Sequence, residues 1–172
     1  MLTKGAYGTS VSPDGKHLLY GIEDIFILAL EGTKKPEPFL QTKFNEGMAV
    51  FSPDGRWVAY ESDESGKNEI YVQGFPERRG KWQISAEGGL LPQWRADGKE
   101  LYWLANSRMM AATMELQSAG VKAGRPEQLF RSPTFVALSQ DGKRFLVQAP
   151  EGGEPPPLPL VVVQNWAAGL GK

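Results

Sequence analysis

The sequence predicts an all-β protein assembled from four similar repeats, and three observations carry that prediction. A turn motif recurs four times, as VSPDGKHLLY from Val11, FSPDGRWVAY from Phe51, WRADGKELYW from Trp94 and LSQDGKRFLV from Leu138. Its Asp-Gly pairs begin at Asp14, Asp54, Asp97 and Asp141, separated by 40, 43 and 44 residues. After each pair comes a run apolar at three consecutive positions, as a strand covered on both faces requires. A period of about 40–45 residues is that of a four-stranded propeller blade. The expected fold is therefore a partial or small β-propeller of four repeats, with blades of three to four antiparallel strands.

Each piece of the repeat has a physical reason. Pro13 and Pro53 preset φ at the second turn position. The Asp that follows tolerates the turn and bonds nearby backbone amides. The Gly supplies a positive φ at no steric cost, which closes a tight hairpin. The next strand carries Leu18, Leu19 and Tyr20 in the first repeat and Val58, Ala59 and Tyr60 in the second. The third repeat has Leu101, Tyr102 and Trp103 there, and the fourth Phe145, Leu146 and Val147. A third strand is expected over residues 24–30, 69–75, 109–116 and 158–164. The segment 107–117 has helical propensity, but it occupies the third-strand slot and reads as a strand. A fourth strand is expected over 37–42, 81–85 and 127–130. The last repeat lacks one, and the opening MLT aligns only with the end of a fourth strand, a thin clasp. The blades then span residues 4–42, 46–86, 90–130 and 133–166 of a single domain.

Composition narrows the function classes. A net charge of −1 argues against a nucleic-acid binder held by clustered Lys and Arg. The absence of cysteine removes disulfides, thiolate metal sites and a Cys nucleophile. No apolar run reaches the length of a spanning helix, and the opening residues lack the apolar centre of a signal peptide.

The second repeat, SPDGRWVAYESDESGKNEIYV over residues 52–72, resembles the WD40-like (PD40) repeat of TolB-type β-propellers. The segments 69–105, AGRPEQLF (123–130), DGKRFLV (141–147) and VVVQNWAAGLGK (161–172) look like the C-terminal sensor propeller of bacterial serine/threonine protein kinases. The likeness covers nearly the whole chain. It implies a propeller, a recognition role and, within a longer protein, an extracytoplasmic location. The chain departs from that family where Ala96 and Gln140 replace the motif proline, and it has fewer blades. No kinase motif is present, so kinase activity does not carry over.

Candidate chemistry is sparse. His17, the lone histidine, occupies a variable slot that reads as solvent-facing, and a catalytic His needs an orienting acid and a nucleophile. Asp63, Glu64 and Glu69 form an acidic cluster. Its spacing matches no calcium loop and Lys67 dilutes its charge, so it reads as a solvated hairpin. In PERRGKW (76–82), Trp82 either stacks under Arg78 or Arg79 or, the favoured reading, packs on the next blade. Trp57, Trp94 and Trp103 read as core. No catalytic residue, metal ligand or cofactor is expected.

Loops entering each first strand and joining second to third strands share one face of a propeller. Binding is expected there, at Phe44, Asn45, Glu46, Asp63, Glu64, Asn106 and Arg108, with the Pro-rich stretch 150–159 as a further loop or a stiff connection. The function expected is non-catalytic recognition of a protein or small ligand. The alternatives are an accessory propeller of a hydrolase or peptidase and a structural fragment of a longer propeller. An open arc of four blades leaves apolar end faces, which predicts a homodimer completing a ring; self-closure is the alternative.

Overall fold

The computed structural model describes residues 7–32, 35–132, 137–139, 142, 144–148 and 160–164. Among these there are sixteen strands in four antiparallel sheets, and no helix long and apolar enough to cross a membrane. Sheet 1 is a meander of β1 (Tyr7–Val11), β2 (His17–Ile22), β3 (Asp24–Ala29) and β4 (Pro36–Leu40). Sheet 2 repeats it with β5 (Glu46–Phe51), β6 (Trp57–Ser62), β7 (Glu69–Gly74) and β8 (Lys81–Gln83). Sheet 3 holds β9 (Leu90–Trp94), β10 (Glu100–Ala105) and β11 (Arg108–Gln117), with β12 (Gly120–Ala123) and β13 (Glu127–Arg131) both on β11. Sheet 4 orders β14 (Ala137–Leu138), β15 (Arg144–Gln148) and β16 (Leu160–Gln164). The opening MLT, the segment 150–159 and residues 165–172 lie outside the described residues.

The turn motif is a hydrogen-bonded device. In sheet 2 the Gly55 amide donates to the Ser52 carbonyl at 2.9 Å, closing a four-residue turn with Gly55 at φ 70°. The Ser52 hydroxyl donates to Asp54 at 2.6 Å and accepts the Trp57 amide at 3.0 Å. Asp54 also accepts the Arg56 amide at 3.1 Å. The first repeat reproduces this set with Ser12, Asp14, Lys16 and His17. In the third repeat Arg95 stands where Ser would, and its guanidinium holds Asp97 at 2.8 Å instead. Ser139 of the fourth accepts the Arg144 amide at 3.0 Å.

The second strands of sheets 2 and 3 are covered on both faces. Val58 and Tyr60 pack with Leu19, Ile25 and Phe39 of sheet 1. Trp57 and Ala59, on the opposite face of β6, pack with Leu101, Trp103 and Met114 of sheet 3. Tyr102, Met109 and Ala111 turn to Phe145 and Val147 of sheet 4. The sheets therefore stack in sequence order. Backbone bonds tie neighbours together: the Glu46 amide donates to Glu23 O, Gly89 to Asn68 O and Ser132 to Ser107 O, at 2.8, 2.8 and 2.9 Å.

Four points refine or correct the sequence reading. The helix-prone segment 107–117 is strand β11, because pairing on both edges outweighs propensity. Its far half also forms a hairpin with β12, which no expected strand covered. His17 is not solvent-facing: it is half-buried, its ring edge-on to Phe75 with centroids 5.4 Å apart. Trp82 packs T-shaped on Trp57 at 5.5 Å and against Gly120, where a Cβ would meet its ring at 2.8 Å. Arg78 lies over Phe39 of sheet 1 instead.

Folding depresses the Asp54 carboxyl: burial acts to raise it, but the Ser52 hydroxyl and the Arg56 amide and guanidinium outweigh that. This stabilisation is present above the unfolded carboxyl's pKa and is lost as pH falls through the folded one. Ser52→Ala should cost about 1–2 kcal/mol in urea unfolding at neutral pH, with the cost shrinking as Asp54 protonates.

Candidate functional site

The connections expected to share a face do so by bonding one another. In the β4–β5 connection, the Asn45 amide and side-chain nitrogen donate to the Asp63 carboxylate at 2.9 and 2.6 Å. Those bonds hold the Asp63 pKa below its ordinary value. Phe44 is half-buried, its amide bonded to Thr42 at 3.1 Å. Glu64 turns outward to Lys81 of β8 at 2.6 Å. On sheet 3, the Asn106 side chain donates to Glu87 O at 2.8 Å, and Arg108 reaches the Glu87 carboxylate at 3.4 Å. The expected residues thus form one cluster on sheet 2 and another on sheet 3.

Glu69 departs from the solvated hairpin read from the sequence. It is fully buried, accepting the Ser85 hydroxyl and the Gly88 amide, with Lys67 at 3.4 Å. It clamps the β8–β9 connection onto β7. Gly89 is needed there, since a Cβ would lie 2.6 Å from Ile70 and 2.7 Å from the Ser85 oxygen. Asp63, Glu64 and Glu69 are therefore spent on three different contacts. Among the described residues, no three His, Asp or Glu side chains converge as a metal site.

A cavity of about 370 Å3 opens on this face, between the first three sheets. Its wall includes Glu23, Asn45, Glu46, Met48, Glu61, Asn68, Leu90 and Leu91. Of the seven residues expected from sequence, Asn45 and Glu46 reach it; Phe44, Asp63, Glu64, Asn106 and Arg108 do not. Bulges build the wall. The pairing of β5 with β6 shifts between Gly47 and Val50, and that of β9 with β10 between Leu90 and Gln93. Met48 and Leu91, inside those bulges, adopt φ of 45° and 55°, and Glu23 adopts 67°. Left-handed backbone at three non-glycine wall residues is stored strain of the kind that gathers at functional sites.

Two wall carboxylates are perturbed. Glu46 is 3% exposed; one oxygen accepts the Thr42 hydroxyl at 2.5 Å, and Oε2 is buried with no hydrogen-bond partner. Burial raises its pKa, and the charges of Asp24 and Glu64 add to the effect. Glu61 accepts the Leu91 amide at 2.5 Å, and burial raises its pKa too. Sequence reasoning missed Glu23, Met48, Glu61, Leu90 and Leu91. One signal was available: Glu61 is an acid inside the apolar run WVAYES, where burial of a charge needs a reason.

A raised carboxyl pKa stabilises the fold below the unfolded value, and that contribution is lost as pH rises through the folded one. Glu61→Gln keeps an acceptor for Leu91 without the charge. Its melting temperature should exceed that of the parent at about pH 7, with the gain vanishing near about pH 4, where unfolded carboxyls protonate.

No family model matches the sequence, and no curated protein does. Solved structures do match. TolB from Acinetobacter baumannii superposes with a TM-score of 0.69 at 21% identity, over 94% of this chain and 41% of that one. A putative TolB from Agrobacterium tumefaciens gives 0.58 at 20% identity, over 76% of this chain and 52% of that one. The tricorn protease gives 0.55 at 12% identity, over 86% of this chain and 24% of that one. The chain thus spans about half, or less, of the length of these structures. At such identities the likeness is one of fold: four successive antiparallel sheets stack as in TolB and other β-propeller proteins.

Proposed function

We propose that the chain is a non-catalytic recognition module, an arc of four blades that binds its ligand on the loop face at the cavity between the first three sheets. The cavity carries this reading. It combines strained main chain, an unpaired carboxylate oxygen on Glu46 and apolar side chains, the mixture of a ligand site. Its wall holds no His, Ser, Thr, Lys or Arg, so it lacks the parts of a Ser–His type triad. Asn45 and Glu46 contact the ligand; Phe44, Asp63, Glu64, Asn106 and Arg108 hold or rim the loops. The near-neutral charge supports a partner other than nucleic acid.

The blades correspond to residues 4–42, 46–86, 90–130 and 133–166. Sheet 1 has an apolar far side, with Leu18, Phe26 and Leu28 half-buried and Tyr20 stacked on Phe26 at 5.8 Å. A second copy of the arc covers such end faces and completes a ring. The sequence likeness to kinase-associated sensor propellers supports a role as the ligand-reading end of a longer, extracytoplasmic protein. A second reading, the accessory propeller of a peptidase, draws on the tricorn protease among the similar folds.

A library of short peptides and oligosaccharides, followed by thermal shift, tests the module. At least one member should raise the melting temperature saturably. Asn45→Ala should weaken that effect, and Lys99→Ala, on the opposite face, should not. Product formation from any library member, or no saturable shift from any, overturns the reading.

A further inference from the structure

Sheets 1 and 2 carry different residues at the same two register positions. In sheet 2, Trp57 lies opposite Gly74 of β7, and Trp82 lies opposite Val72 of the same strand. Cross-strand partners share a face, so both indoles stand on one face, and they pack T-shaped at 5.5 Å. In sheet 1 the same two positions hold His17, opposite Ala29, and Glu37, opposite Ile27. An imidazole and a carboxylate fill less space than two indoles. A cavity of about 230 Å3 remains, with His17 and Glu37 both in its wall. Phe39 and, from the β7–β8 connection, Phe75 give it an aromatic floor. Phe75 stands edge-on to His17 at 5.4 Å and tilted to Phe39 at 6.1 Å. This cavity shares no lining residue with the one on the loop face.

Charge and size say what fits. Lys35 and Arg78 line the cavity together with Glu37, and all three are exposed. The Arg78 guanidinium donates to Pro38 O at 2.5 Å and lies 5.5 Å from the Phe39 ring centroid. A guanidinium has five N–H donors, so others remain for a ligand. Two cations and one carboxylate match a molecule that bears both signs. The volume falls below the about 300–1,000 Å3 of sites for drug-sized ligands, so that molecule is small. The floor favours a ring that meets other rings edge-on or offset. We infer that this cavity is a second ligand site and takes a free aromatic α-amino acid. The carboxylate meets Arg78 and Lys35, and the ammonium meets Glu37. The ring takes the place that an indole holds on sheet 2, against His17 and Phe75. An aliphatic amino acid leaves the floor uncovered, and an aromatic acid or amine answers only one sign of charge.

Calorimetric titration of the whole chain tests it, with L-tryptophan, L-phenylalanine, L-leucine, tryptamine, indole-3-propionate and an acetylated alanine peptide ending in tryptophan. Tryptophan and phenylalanine should bind saturably. Tryptamine and indole-3-propionate should bind about tenfold more weakly or worse, the scale of one hydrogen bond to a charged group, and leucine should bind more weakly still. Glu37→Gln should weaken tryptophan by a similar factor and leave indole-3-propionate unchanged. Arg78→Gln should weaken tryptophan and leave tryptamine unchanged. His17→Trp should fill the cavity and abolish binding, while Asn45→Ala, in the loop-face cavity, should not alter it. Absence of saturable binding overturns the inference, as does unchanged tryptophan affinity in both Glu37→Gln and Arg78→Gln. So does tryptamine, indole-3-propionate or leucine binding as tightly as tryptophan. Tighter binding of the peptide than of tryptophan overturns the free amino acid as ligand. None of these outcomes touches the loop-face reading, which has its own test in Asn45→Ala.

Discussion

Val58 and Tyr60 are buried against one sheet while Trp57 and Ala59, on the same strand, are buried against another. This two-sided burial of the second strands in sheets 2 and 3 is the constraint on which the rest of the structure depends. Fully burying a large apolar side chain contributes about 1.5–3 kcal/mol, and β6, β7 and β10 have such residues on both faces. A lone sheet of this composition would expose half of that surface. Stacking neighbours is what makes each repeat stable, as in other repeat architectures.

The loop face follows from the stacking. Each sheet's outgoing connection must climb over the next sheet's first strand, and the amides of Glu46, Gly89 and Ser132 catch carbonyls of the preceding turn as it does. Glu69 and Asp63 are drawn into the same task. With the rim so fixed, the first strands β5 and β9 bulge, and their bulges leave the cavity between them. The polar atom left unpaired there, Glu46 Oε2, is one the stacking does not use.

The fold was largely legible because its signals are local. Pro13, Asp14 and Gly15 specify a turn within a few residues, and the run from Trp57 to Tyr60 states its own burial. The hairpin of β11 with β12 was not legible, since the pairing runs past the end of the expected strand. The site was less legible for a related reason. Loop acids and amides such as Asp63 and Asn106 look available in sequence, yet neighbouring loops consume them. Glu23, Glu61 and Leu91 come from three repeats at non-equivalent positions, so periodicity could not group them. His17 misled because its slot varies, while its environment is set by Phe75, 58 residues on.

Two-sided burial also bears on the ends of the stack, where sheets 1 and 4 share no core cluster among the described residues. The most direct measurement is the solution mass of the chain by light scattering behind a sizing column, across a dilution series. Covering both end faces with a second copy gives a mass of twice 18.9 kDa that persists on dilution. A folded, cooperatively melting species of 18.9 kDa at every concentration would contradict it.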